Sequence, residues 1–215
     1  MLPASAGPTP EFFSDRVISI VYSKGQSIFE QDDPADTIYF VISGAVIVHR
    51  TGSDGNREVM ELAGEGALLG LVSGATYGCC ASSLTRTAVT AIRQEAIAGS
   101  TQLQQRIGKE LTRRLELMQE QARVRPRTSA ASLVAQFILT LPPATKDRPL
   151  ERVFITQTDM ASYLGLAVET VCRIVKSLKQ KNALLPGTRD RIVIADMQYL
   201  EHLAGTLTTR PPAAT

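Results

Sequence analysis

An α+β fold is predicted, with a strand-rich N-terminal part, a long helix and a C-terminal winged helix-turn-helix. Three observations carry that expectation. Short β-branched or aromatic runs alternate with turn clusters between residues 18 and 92. A heptad-like seam follows through Leu111, Leu115, Met118 and Ala122. The run from Thr156 to Lys179, TQTDMASYLGLAVETVCRIVKSLK, holds two apolar-periodic stretches joined by a single glycine.

The first residues, MLPASAGPTP, are rich in Pro, Ala, Ser and Thr, and segment 1–14 is expected to be loose. Strand signals then run over Ile18–Tyr22, Ser27–Phe29, Ile38–Ile42, Ala45–His49, Glu58–Leu62 and Thr85–Ile92. Clusters such as KGQ, QDDPAD and GSDGN separate them. Many short strands with regular turns point to a small β-barrel or sandwich over 15–98. From about Gln94 to Arg125 the pattern becomes helical, and 99–125 is read as a dimerisation helix. Its seam spans only about two heptads, so packing of the helix on its own barrel stands as the alternative.

Pro126 marks a boundary, after which 126–206 forms the second domain and 207–215 a loose tail. Ser129–Leu141 is helical and stops at Pro142 and Pro143. Val153–Ile155 reads as a short strand, and LLPGTRDRIVIAD as strand, tight turn, strand. Thr156 is a candidate N-cap, Gly165 a left-handed helix end, and Asp196 the cap of a last helix to Ala204. In the second helix of the pair Val171, Ile174, Val175 and Leu178 make the apolar stripe. Glu169, Cys172, Arg173, Lys176 and Gln180 share the opposite side.

Glu169 and Arg173 stand at the i, i+4 spacing of an ordinary ion pair, which is the plain reading. Charge distribution supports a second one. Tyr163–Arg191 holds six basic residues against two acidic, the local surplus that phosphate binding needs. Glu11–Gly66, by contrast, holds ten acidic residues against four basic, so the two ends of the chain meet different partners. With 44% hydrophobic residues, no run long enough for a membrane span and no signal-peptide pattern, a cytoplasmic globular protein is expected. Three cysteines, two of them adjacent, form neither a disulfide framework nor a zinc spacing.

The chain resembles the CRP/FNR superfamily of bacterial transcription regulators. KGQSIFEQDDPADTIYFVISGAVIV is similar to the front of a cyclic-nucleotide-binding β-roll, with Gly25 and Gly44 at the family's turn positions. ITQTDMASYLGLAVETVCRIVKSLKQKNAL is similar to its helix-turn-helix. The GL-x-x-ET-V-x-R core, with Val168 before Glu169, resembles the FNR/FixK side. Ala167 departs from the family's Ser or Thr cap, a change that costs roughly 1 kcal/mol of helix stability. The cyclic-AMP cassette of the family has Phe-Gly-Glu followed by Arg-Ser or Arg-Thr. Here the region is GALLGLVSGATYGCCASSL, with Leu71 in place of the acid and Gly78, Cys79 and Cys80 in place of the base and its neighbour. A buried phosphate would face no cation, so cyclic-AMP binding is not expected. The first cysteine is Cys79, which leaves no N-terminal iron-sulfur ligand cluster.

The resemblance implies a homodimer that reads a TTG-type palindrome in double-stranded DNA and works with RNA polymerase. No cofactor, metal or catalytic residue is expected, and a small-molecule effector in the barrel is doubtful. Arg173 can donate two bonds to guanine, Glu169 can accept from cytosine or adenine, and Val168 can touch a thymine methyl. Thr158, Lys176 and Lys179 are candidate phosphate contacts, although solvated lysines need no such role. Cys172 is either a small residue that fits the groove or a redox switch whose oxidation puts negative charge against DNA. Two rival functions remain: a nucleotide- or haem-sensing regulatory protein, with His49 or His202 as haem ligand, and a thiol redox protein using Cys79 and Cys80. The second lacks a CxxC motif.

Overall fold

Turn chemistry cuts the N-terminal part of this computed structural model into short strands: β1 (Val17–Tyr22), β2 (Ser27–Phe29), β3 (Thr37–Ser43), β4 (Val46–Thr51), β5 (Arg57–Ala63), β6 (Leu68–Leu69), β7 (Cys80–Ser83) and β8 (Thr87–Arg93). The structure describes residues 17–52, 55, 57–123, 129–144, 147–186 and 191–205. The loose ends expected at 1–14 and 207–215, the Pro126 boundary and the hairpin turn at 187–190 lie outside these residues. The chain forms two units, residues 1–123 and 124–215.

In the first unit two antiparallel sheets have the orders β1-β8-β3-β6 and β2-β7-β4-β5. The period of two along β3 separates two cores. Val41 joins Phe29, Val46, Leu69, Ala81 and Val89 in one cluster. Ile38 and Phe40 join Leu68, Ile92, Leu103 and Ile107 in the other. Gly44 makes the β3–β4 turn at φ +91°, and a Cβ there would lie 2.6 Å from the Arg86 carbonyl oxygen, so only glycine fits.

The six strands expected from sequence recur, with ends displaced by two residues or fewer. Strands β6 and β7 were not expected. β7 reads CASS, without a β-branched or aromatic residue, and it is strand because Ala81 and Ser83 pack in the interior while β2 and β4 flank it. The single helix expected from about Gln94 is corrected too. It breaks at Gly99 into α1 (Glu95–Ala98) and α2 (Thr101–Arg123), where the Ser100 hydroxyl accepts from the Leu103 amide at 3.3 Å.

Helix α2 serves two surfaces. Its first turns bury Leu103 and Ile107 on the sheet, each worth about 1.5–3 kcal/mol, and Arg106 lies 4.3 Å over the Phe40 ring. Arg114 reaches Glu61 on β5 at 3.0 Å and the Leu68 carbonyl. Leu111 and Leu115, in contrast, are 47% and 56% exposed. The side chains of Met118 and Ala122 lie outside the described residues.

The second unit starts with α3 (Ala130–Thr140), whose cap Ser129 accepts from the Ser132 amide. It buries Val134, Ala135, Phe137 and Ile138. β9 (Glu151–Val153) pairs antiparallel with β10 (Arg191–Val193). This strand lies two residues before the one expected at Val153–Ile155, because Ile155 is already buried in the approach to the next helix. The first strand of the expected hairpin reduces to one bridge, Leu184 to Ile194, since Pro186 lacks the N–H that would continue a ladder. Helices α4 (Gln157–Leu164), α5 (Val168–Gln180) and α6 (Met197–Ala204) complete the unit. Asp196 caps α6 as expected, accepting from the Tyr199 amide at 2.9 Å.

Candidate nucleic-acid interface

Helices α4 and α5 form the expected pair. Thr156 accepts from the Asp159 amide at 3.0 Å and donates to the Asp159 carboxylate at 2.7 Å, so cap and side chain hold each other. Gly165 ends α4 at φ 65° and ψ 34°, the left-handed conformation expected of it. Ala167 then begins α5 in extended conformation without a side-chain cap.

The apolar stripe of α5 faces inward. Val171, Val175 and Leu178 are buried and Ile174 is half-buried. On the other side Val168, Glu169, Cys172, Arg173, Lys176, Lys179 and Gln180 are all exposed, and Thr158 on α4 is exposed as well. The predicted residues of α5 therefore share one accessible side of that helix, and Thr158 is accessible on α4. Among the described residues neither Glu169 nor Arg173 has an ion-pair partner, so the plain i, i+4 pair does not form. Both groups keep their hydrogen-bonding capacity for a ligand. An Arg fork and a carboxylate one turn apart can donate to guanine and accept from cytosine or adenine, and the lysines can meet phosphates.

One residue of this surface escaped the sequence reading. Gln157, the first residue of α4, accepts a hydrogen bond from the Cys172 thiol on α5. The two are fifteen positions apart, and only the angle between the helices brings them together. On β9, Glu151 is held by Arg191 and by Arg148 at 3.0 Å, which together keep its carboxyl below the usual range.

The stretch corresponding to the cyclic-nucleotide cassette lies in the first unit. Gly70 sits at φ +75° against the Thr37 carbonyl and the Tyr77 ring, so any side chain there is strained and tightly placed. Tyr77 is 2% exposed, stacks on Phe29 at 4.1 Å between centroids, and donates to the Thr37 carbonyl at 2.6 Å. Tyr39 stacks on the same Phe29 at 5.7 Å. Burial pushes both tyrosine hydroxyls up from their ordinary value. The expectation that no cation stands at this stretch needs correction. Arg50, exposed on β4, donates from Nε to the Gly78 carbonyl at 3.1 Å, brought there by the β4–β7 pairing rather than by proximity in sequence. Burial pushes the thiols of Cys79 and Cys80 up, which disfavours the reactive thiolate that a redox pair requires. His49 lies beside the Arg57 guanidinium at 3.2 Å, and His202 lies on α6 in the other unit.

Known proteins share both units. Residues 19–101 match the cyclic nucleotide-binding domain family and residues 134–203 the Crp-like helix-turn-helix domain family. The chain is 31% identical over 181 residues to the nitrogen fixation regulation protein FixK of Rhizobium meliloti strain 1021, covering 83% of this chain and 82% of that protein. It is 28% identical over 195 residues to the transcriptional activatory protein AadR of Rhodopseudomonas palustris, covering 85% and 80%. Among solved structures, FixK2 from Bradyrhizobium japonicum matches with a TM-score of 0.70 at 26% identity, over 87% of this chain and 96% of that one.

A β-roll followed by a helix-turn-helix with an exposed basic second helix defines a DNA-binding transcription regulator. The chain belongs to the CRP/FNR family, on its FixK-like branch.

Proposed function

We propose that the protein is a homodimeric, cytoplasmic regulator that reads a TTG-type palindrome through α5 without cyclic AMP, with RNA polymerase as its partner. The observation that carries this reading is that Glu169 and Arg173, exposed on α5, have no ion-pair partner among the described residues. Arg173 and Glu169 read base edges, Val168 meets a thymine methyl, and Thr158, Lys176 and Lys179 hold phosphates. The exposed Leu111 and Leu115 supply the dimer seam, with Met118 and Ala122 continuing it in sequence. Two copies then place α5 in successive major grooves about 10 base pairs apart. In this reading 15–98 is the roll, 99–125 the dimerisation helix and 126–206 the DNA-binding domain. The relatives are regulators, and no catalytic step is assigned to the chain.

Independence from cyclic AMP rests on the cassette. Leu71 replaces the acid, Tyr77 and Phe29 stack within the roll, and Arg50 is tied to a backbone carbonyl. Calorimetry with cyclic AMP and cyclic GMP tests this, and saturable micromolar heat overturns it. Selection of bound sequences from random DNA tests the palindrome, which should emerge as two TTG-type half-sites.

Exposure of Cys172 on the reading surface supports a redox reading in addition. Peroxide oxidises the thiolate to a sulfenate with release of water, and a second peroxide gives the sulfinate, whose charge repels DNA. Peroxide should abolish binding by the native protein and spare Cys172→Ser. Equal loss in the two assigns Cys172 to simple fit.

A further inference from the structure

The Cys172 thiol is exposed on α5 directly before Arg173, and it is bonded to Gln157, the first residue of α4. A thiol facing a side-chain amide can meet it in two ways. It donates its proton to the amide oxygen, or it accepts from the amide nitrogen. Here Cys172 Sγ donates to Gln157 Oε1. That choice fixes the other end of the planar amide. Nε2 lies on the side away from the thiol, is not buried, and has no partner among the described residues. The Gln157 residue as a whole is half-buried, so its stem is restrained while its donor stays accessible.

We propose that Cys172 is a positioning residue: its thiol proton locks the Gln157 amide with Nε2 outward, and Nε2 donates to a DNA phosphate oxygen beside the groove that α5 occupies. This deepens the DNA-binding reading and rests on it. Chemistry selects the acceptor. With Oε1 used by the thiol, Gln157 cannot make the paired donor-and-acceptor contact by which glutamine reads adenine, and only a donor is left. A phosphate offers acceptors alone. Place selects it too. Helix α4 is the first of the pair, the one that crosses the backbone while the second lies in the groove. The lock matters because the two ends of an amide are opposite in sign. Reversed, Gln157 would set Oε1 against the phosphate oxygens with no proton between them. A serine at 172 can still donate to Oε1, whereas an alanine cannot.

The test is fluorescence anisotropy of the reduced full chain on a duplex with two TTG-type half-sites and on its single-base variants. Gln157→Ala should weaken binding to all of them alike, by about ten-fold, because a phosphate contact carries no sequence. Its salt slope should equal that of the native protein, since a neutral amide releases no counterion, whereas Lys176→Ala lowers the slope by about one. Gln157→Glu keeps the size and the acceptor for the thiol but loses the donor, and should weaken binding further. Thermal melting verifies each fold, and should Gln157→Ala melt early, the isosteric glutamate variant carries the same comparison. Cys172→Ser should match the native protein, and Cys172→Ala should bind about three-fold more weakly. In a Gln157→Ala background these two substitutions should bind equally, the mark of action through Gln157. Replacing phosphates singly by neutral methylphosphonates should reveal a position in each half-site where the native protein loses affinity and Gln157→Ala does not. Unchanged binding by Gln157→Ala, or a loss confined to one base pair, overturns the phosphate contact. A difference between Cys172→Ser and Cys172→Ala that persists without Gln157 overturns the positioning role. A native protein that binds no duplex contradicts the proposed function and this inference together, whereas native binding with an indifferent Gln157→Ala overturns this inference alone.

Discussion

The cassette region of the roll and the outer face of α5 treat their polar groups in opposite ways. In the roll, the Tyr77 hydroxyl is used on the Thr37 carbonyl, Arg50 on the Gly78 carbonyl, and the space beside Gly70 is taken by Tyr77. On α5, Glu169 and Arg173 make no ion pair among the described residues and stand exposed beside Lys176 and Lys179. A buried polar group needs its partner built in, whereas a surface that reads DNA keeps its donors and acceptors open until the ligand arrives. In the proposed reading, recognition capacity lies on the helix and not in the cassette.

The most forceful way to break this contrast is to empty the cassette. Tyr77→Ala removes a buried ring stacked on Phe29 and should cost about 3–5 kcal/mol in thermal or denaturant unfolding. A loss under about 1 kcal/mol would mean the region is loosely filled and open to a ligand. Next in size is the seam of α2. Leu111→Asp with Leu115→Asp introduces like charges into the proposed dimer seam, and should yield monomers in sedimentation with palindrome affinity reduced roughly hundred-fold. An unchanged dimer places the interface elsewhere.

A smaller effect sharpens the picture of the filled roll at high pH. Burial raises Tyr39 and Tyr77 above their ordinary value, so the folded state holds these protons more tightly than the unfolded one. The stability they contribute is complete below about pH 10, the unfolded value, and is lost as pH climbs through the folded values. Alkaline unfolding of Tyr77→Phe should show a shallower decline than that of the native protein. Smallest of all, Ala167→Ser supplies the cap that α5 lacks and should add about 1 kcal/mol to stability.

The helix-turn-helix was legible because its signals are local. Thr156, Gly165 and the spacing of Val171, Val175 and Leu178 fix caps and faces within a few residues of one another. Strand β7 was not legible, since CASS has no strand-forming side chain and its extended form is imposed by β2 and β4, distant in sequence. The break at Gly99 was missed because helical periodicity runs on across it, and the Ser100 hydroxyl that starts α2 becomes visible only with its acceptor geometry. Within the site, residue types and their shared face were readable from α5 alone. The Gln157–Cys172 contact and the approach of Arg50 to Gly78 were not, because each depends on how separate elements pack.

The central claim is that α5 reads sequence with Arg173 while Lys176 only attracts. It is tested most directly by mobility shifts of the native protein, Arg173→Ala and Lys176→Ala, each on the selected palindrome and on single-base variants of its guanine position. The account predicts that Arg173→Ala loses roughly 1–3 kcal/mol on the selected site and no longer distinguishes the variants, whereas Lys176→Ala weakens every sequence alike. Undiminished discrimination at that base pair by Arg173→Ala would contradict it.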